Sequence, residues 1–125
     1  MNIQVPISSG ELLDKLSILS IKSVKVTDAI KLANVIKEKD ILKKIAKFKS
    51  LPISILNLYL HLIDVNIILW DIEDRLREKE KLEEFDEEFI TLARKVYITN
   101  DLRFEYKSQI NILLNSDIVE VKQYK

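Results

Sequence analysis

Asn66, Glu73 and Arg77 are the residues of this chain whose types and spacing point most directly to chemistry. Placed at 100° per residue on a helix, they fall together inside an apolar face, beside Tyr59 and Trp70. Polar groups in such a place cost free energy unless they find partners, and an unpaired buried charge costs several kcal/mol. Glu73 and Arg77 stand four residues apart and can pair with each other. Asn66 needs a partner from another helix, a water or a ligand. A second polar set lies further along. On one continuous helix Asn100, Lys107 and Asn111 share a face with Ala93, Tyr97 and Phe104, and Arg103 flanks them. If the two sets meet, Arg77 and Arg103 would grip a phosphate or carboxylate, whose geometry the planar guanidinium fork matches. Lys107 would assist, Asn66 and Asn100 would orient the ligand, and Glu73 would act as an acid or base. The competing reading of the same residues is a buried structural network, or a helix end that emerges into solvent after about residue 74.

The element that must position the first set spans residues 52–80. Ser54, Asn57, His61, Asp64, Asp71, Arg75 and Glu78 form one narrow polar stripe on it, interrupted only by Ile68, and nearly everything else through Ile72 is apolar. An apolar arc that wide belongs to a helix surrounded by others. Upstream, Ser8 and Glu11 make an S-x-x-E capping box that predicts a helix over 9–25 with Leu12, Leu13, Leu16, Leu19 and Val24 inside. Lys15 and Lys22 flank that face, either as solvated lysines with stems along the core or as cations facing an anionic ligand. Thr27-Asp28 caps a second helix over 29–48, with Leu32, Val35, Ile36, Leu42 and Ala46 as its inner stripe. Ser50-Leu51-Pro52 ends it, and Pro52 suits the first turn of the next helix.

Downstream, Glu83, Glu84, Asp86, Glu87 and Glu88 mark a connection and the acidic start of a fourth helix. Thr99-Asn100-Asp101 could cap a new helix. The phase of Ala93, Tyr97, Phe104 and Leu114 favours one continuous helix over 86–115. Residues 2–7 alternate polar and apolar like a strand, and Ile118, Val119, Val121 and Tyr124 are strand formers. The fold expected is therefore mainly α: a four-helix bundle-like single domain over 1–125, with a short two-stranded β ribbon pairing the N- and C-termini.

Composition narrows the function classes. The 125 residues fit one domain able to fold without a metal or disulfide. Absence of cysteine excludes disulfides, thiolate metal sites and a cysteine nucleophile. Lysine plus arginine and aspartate plus glutamate both number 20, and that zero net charge argues against nucleic acid as partner. The lysines at 31–47 lack interleaved aromatic residues, which points the same way. Gly10 is the only glycine, so no phosphate loop exists. The single histidine, His61, reads as a surface residue, and His61 with Asp64 on one helix does not complete a metal site. MNIQVPISSG lacks the pattern of a signal peptide. Asn57, His61, Asp64 and Asn66 interrupt the apolar stretch 51–70, so no membrane span is expected. A soluble, cytoplasmic protein without cofactor is the expectation.

Several segments carry a resemblance: V-P-I-S-S-G-E-L-L-D-K-L (5–16), Lys22, K-L-A-N-V (31–35), N-I-I-L-W-D-I-E-D-R-L-R (66–77), F-D-E-E-F-I-T-L-A-R-K-V-Y-I-T-N-D-L-R (85–103) and V-E-V-K-Q-Y (119–124). With these the chain resembles an uncharacterised family of short bacterial and phage-type helical proteins, a domain of unknown function. Ser9 stands where such proteins often carry proline, which touches only the detail of the cap. The resemblance implies an accessory to surface-polysaccharide or glycosyl-transfer systems. It carries over no catalytic residue, and it directs attention to Asn66, Trp70, Glu73, Arg77, Asn100, Asp101 and Arg103. Two functions follow as expectations. The first is a non-enzymatic binding or interaction module, homodimeric or bound to another protein. The alternative is an enzyme or sensor with a pocket inside the bundle for an anionic small molecule, lined by Asn66, Trp70, Glu73, Arg77, Asn100, Arg103 and Lys107.

Overall fold

The structure is a computed structural model and describes residues 1–118 and 120–122. Among these residues it contains four helices: α1 (Ser9–Lys25), α2 (Ala29–Ala46), α3 (Ile53–Leu82) and α4 (Glu87–Leu113), with a 3-10 turn, Phe48–Ser50, between α2 and α3. Short polar side chains start three of them. Ser8 accepts from the Glu11 amide at 3.1 Å, Asp28 from Lys31 at 2.9 Å and Asp86 from Phe89 at 2.9 Å. Each satisfies one of the amides that a helix start leaves without a partner. The helices over 86–115 are one, as the phase predicts: Thr99, Asn100 and Asp101 lie inside α4. Backbone turns into the left-handed region end the elements, at Lys47 (φ 50°), Glu83 (φ 55°) and Asn115 (φ 51°).

The β ribbon is not there. Among the described residues no strand occurs: residues 2–7 are exposed and unpaired in any ladder, and Ile118 and Val121 are irregular. Val119 and Tyr124, the other strand formers, lie outside the described residues. An isolated pair of short strands is marginal, and side chains hold the chain after α4 instead. Ser116 Oγ donates to Ser9 Oγ at 2.9 Å, and Glu120 accepts from Lys107 at 2.6 Å.

Helix direction explains the shape. Gly10 meets Asn111 and Asp14 meets Arg103, so α1 runs against α4. Asp14 also meets Asn66 while Ser20 meets Tyr59, so α1 runs against α3 as well. Yet α3 and α4 are antiparallel to each other, with Arg75 meeting Glu88 and Lys79 meeting Asp86. One helix cannot oppose both members of an antiparallel pair, so α1 crosses the α3–α4 hairpin obliquely. The core sits at that crossing: Leu13 and Leu16 of α1, Ile55, Leu58, Tyr59 and Leu62 of α3, and Ile110 of α4. The hairpin is about 45 Å long and outruns the crossing. α2 packs on α1 and buries no residue fully. Val24 and Ile36, placed inside by their spacing, are exposed.

Candidate functional site

Asp14 is the centre of the polar interior. It is 0% exposed, nearly two helical turns past the Ser8 cap of α1. Arg103 of α4 grips it with both edges of its fork: Nε donates to Oδ1 at 2.9 Å and Nη2 to Oδ2. Asn66 Nδ2 of α3 donates to Asp14 Oδ1 at 2.9 Å and to Ser17 Oγ at 2.7 Å, and Ser17 Oγ donates to the Asp14 carbonyl at 2.6 Å. Arg103 Nη1 reaches Asn100 Oδ1 at 3.4 Å. One network therefore ties α1, α3 and α4 at the crossing. Among the described residues no buried side-chain nitrogen or oxygen lacks a partner. The bond to Asp14 holds the Arg103 guanidinium more firmly protonated than usual, against the opposing effect of burial.

A cleft of about 490 Å3 opens above this network. Trp70, Glu73, Asp74 and Arg77 of α3 form one wall, Asn100 and Arg103 of α4 the other, and Ile18 and Ile21 of α1 close one end beside Asn66 and Leu69. The structure thus brings together six of the seven residues singled out from the sequence: Asn66, Trp70, Glu73, Arg77, Asn100 and Arg103. Their states differ from those expected. Asn66 is buried, but Glu73 and Arg77 are exposed on the cleft wall. The Glu73–Arg77 pair that their spacing allows is not formed, and neither residue has a hydrogen-bond or ion-pair partner among the described residues. The physical reason is that α3 runs past α1, so its apolar face there is covered by no helix. Arg103 is spent on Asp14. The charges left free at the cleft are one cation, Arg77, and two carboxylates, Glu73 and Asp74.

Lys107 does not line this cleft. It is buried and donates to Glu11 at 2.8 Å and Glu120 at 2.6 Å. Burial works to lower its pKa, but the hydrogen bonds to the two carboxylates prevail and the pKa stands raised. It borders a smaller recess of about 80 Å3, with Asn100, Arg103, Phe104, Glu120 and Lys122. Lys15 is exposed, Lys22 is half-buried, and neither lines the cleft. Asp101, half-buried, stays outside it too. His61 is exposed on the outer side, stacked on Tyr106 at 4.9 Å. No cluster of three or more metal-ligating side chains occurs among the described residues.

Sequence reading missed Asp14, Ser17 and Lys79. Asp14 and Ser17 carried a usable signal, because Gly10, Asp14, Ser17 and Ile21 recur at helical spacing along the buried side of α1. Lys79 carried none, since its burial depends on how α3 and α4 meet beyond the core. Its side chain is 2% exposed, with Asp86 at 2.9 Å and Glu84 and Glu88 at 3.7 and 3.5 Å, all three half-exposed. Searches against protein-family models, curated proteins and solved structures find no match to this chain, so every role given to these residues rests on their geometry.

Proposed function

We propose that the chain is a binding module whose ligand, a small polar molecule carrying a phosphate or carboxylate, occupies the cleft between α1, α3 and α4. The observation that carries this reading is Arg77. It is a free cation on the wall of a cleft whose floor is already a satisfied network, so its donors remain for a ligand. The arginine fork suits a phosphate or carboxylate. Trp70 offers a flat apolar wall beside it, and Glu73 and Asp74 can accept hydroxyl groups of the same molecule. Because Asp14, Asn66, Asn100 and Arg103 are held by one another, the floor is preorganised and binding orders little of it. The module acts here by binding and not by turnover, as an accessory of the kind that the family resemblance implies.

The test is a thermal-melt screen of the wild-type chain and Arg77→Gln against inorganic phosphate, nucleotides, nucleotide sugars and small carboxylates. Arg77 is exposed and unpaired, so the variant alone is expected within about 0.5 kcal/mol of wild type. A ligand at about a hundred times its Kd stabilises by about 2.7 kcal/mol, which raises the midpoint by roughly 10 °C. That rise is expected in the wild type and lost in the variant. No rise with any compound, or an equal rise in both proteins, would overturn the reading.

A further inference from the structure

Among the described residues one face of α3 is largely uncovered, with Ile63 alone of its stripe packed against the core, and its residue spacing is that of a helix seam. Ile53, Leu56, Leu60, Ile63, Ile67 and Trp70 follow one another at intervals of three and four residues. This alternation keeps a stripe facing a neighbouring helix through successive turns. The stripe lies to one side of the face that α3 turns to α1 and α4. Ile53 is 76% exposed, Leu60 57% and Ile67 38%, while Leu56, Ile63 and Trp70 are half-buried. The residues after Leu56, Ile63 and Trp70 are Asn57, Asp64 and Asp71, all exposed. The apolar stripe is therefore narrow and rimmed by polar groups along one edge, a shape that fits another helix.

The surface area leaves room for a partner on this face. Its accessible surface is 8956 Å2, whereas a compact monomer of 14.6 kDa exposes roughly 6,900 Å2. The extended residues 1–7 account for part of the excess of about 2,000 Å2. A stable interface needs about 800 Å2 from each partner, and obligate dimers use more. Among the described residues more large apolar side chains are exposed than buried, including Ile30, Ile41 and Ile45 on α2.

We propose that a second copy of this chain covers the α3 face, so that two chains pack α3 against α3 along the stripe from Ile53 to Trp70. A dimer with twofold symmetry joins the same patch on both chains, and one self-complementary apolar stripe meets that condition. A lipid surface is the competing occupant, since α3 is long and apolar enough to cross a membrane. Asn57, Asp64 and Asp71 beside the stripe would be costly in hydrocarbon, whereas at the rim of a helix seam they stay in water. Trp70 ends the stripe and also lines the cleft, so the second chain borders the mouth of that site. The dimer does not rest on the ligand-binding reading.

The experiment is sedimentation equilibrium across a wide concentration series on wild type, Leu60→Glu, Ile53→Asp and Ile98→Glu. Helicity is followed by circular dichroism, and flotation is run with phosphatidylcholine–phosphatidylglycerol vesicles. Ile98 is 49% exposed on α4 and off the stripe. Wild type and Ile98→Glu are expected at twice the 14.6 kDa chain mass. Leu60→Glu and Ile53→Asp are expected at the single-chain mass with helicity retained. Should Leu60→Glu unfold, Ile53→Asp decides, because its site in the first turn of α3 belongs to no core. A wild-type monomer at every concentration, or dimeric Ile53→Asp, overturns the proposal. Monomeric wild type that floats with vesicles, and is released by the stripe variants, assigns the face to lipid instead.

Discussion

At the residue scale the interior is decided by Asp14. Its carboxylate is wholly buried and receives Arg103 on both oxygens and Asn66 on one. Breaking such a pair is expensive because the remaining charge stays behind without its partner. Asp14→Asn preserves shape and leaves the guanidinium in place, so it should destabilise by about 3 kcal/mol, less whatever solvent reaches Arg103. Urea unfolding measures this. A double-mutant cycle with Arg103→Leu should then show that most of the loss is coupled to that arginine, because the second substitution removes the stranded charge. The sequence shows part of this arrangement. Asn66 sits inside, as helical phase indicates, and Arg103 with Asn100 joins it only through Asp14. Glu73 and Arg77 share the phase of Asn66, yet both are exposed. Phase tells which side of a helix a residue occupies; it does not tell whether another helix covers that side.

At the scale of elements the start of α1 approaches the end of α4 closely. The Gly10 amide donates to Asn111 Oδ1 at 2.7 Å, and a Cβ at residue 10 would collide with the Lys107 carbonyl oxygen and stand 2.9 Å from Asn111 Oδ1. The first obstacle is backbone, which cannot swing aside as a side chain does. Gly10→Ala is therefore expected to push α1 off α4 and cost about 1–3 kcal/mol, as overpacking does. An alanine here would otherwise favour a helix, so a stabilised variant in the same unfolding assay would refute the close approach. The capping box shows how neighbours redirect a local signal. Ser8 caps as expected, but the Glu11 carboxylate accepts from Lys107 of another helix. The ribbon fails for a related reason. Alternation at 2–7 is a local property, whereas a strand exists only if another segment pairs with it, and the chain after α4 is held through Ser116 and Glu120.

At the scale of the whole molecule, helix number, order and approximate bounds are legible, because caps and apolar periodicity are local. The oblique crossing of α1 is not, because it depends on which faces of three helices meet. The electrostatics of the assembled chain limit its pH range at both ends. The pKa of Lys107 stands raised by hydrogen bonds to Glu11 and Glu120, which outweigh burial, and that of Tyr59 is raised chiefly by burial. Raised values contribute stability that is complete below the ordinary pKa, about 10 for both groups, and is lost as pH climbs through the folded-state value. Asp86, which accepts from the Phe89 amide and Lys79, and Glu88, which accepts from Arg75, have lowered values. Their contribution is present above about pH 4 and disappears as pH falls through the folded-state values. Melting midpoints across pH should fall on both sides of a neutral plateau. The alkaline limb should be shallower in Lys107→Met.

The crossing of α1 also sets an order of events during synthesis. Gly10, Asp14 and Ser9 find their partners at residues 111, 103 and 116, separations of 101, 89 and 107 positions. α1 is thus synthesised well before α4, which completes its contacts. Until α4 has emerged, Asp14 has no guanidinium to meet and Leu13 and Leu16 lack Ile110, so nascent α1 has only α2 and α3 to pack on and leaves its α4 face open to water or to a chaperone.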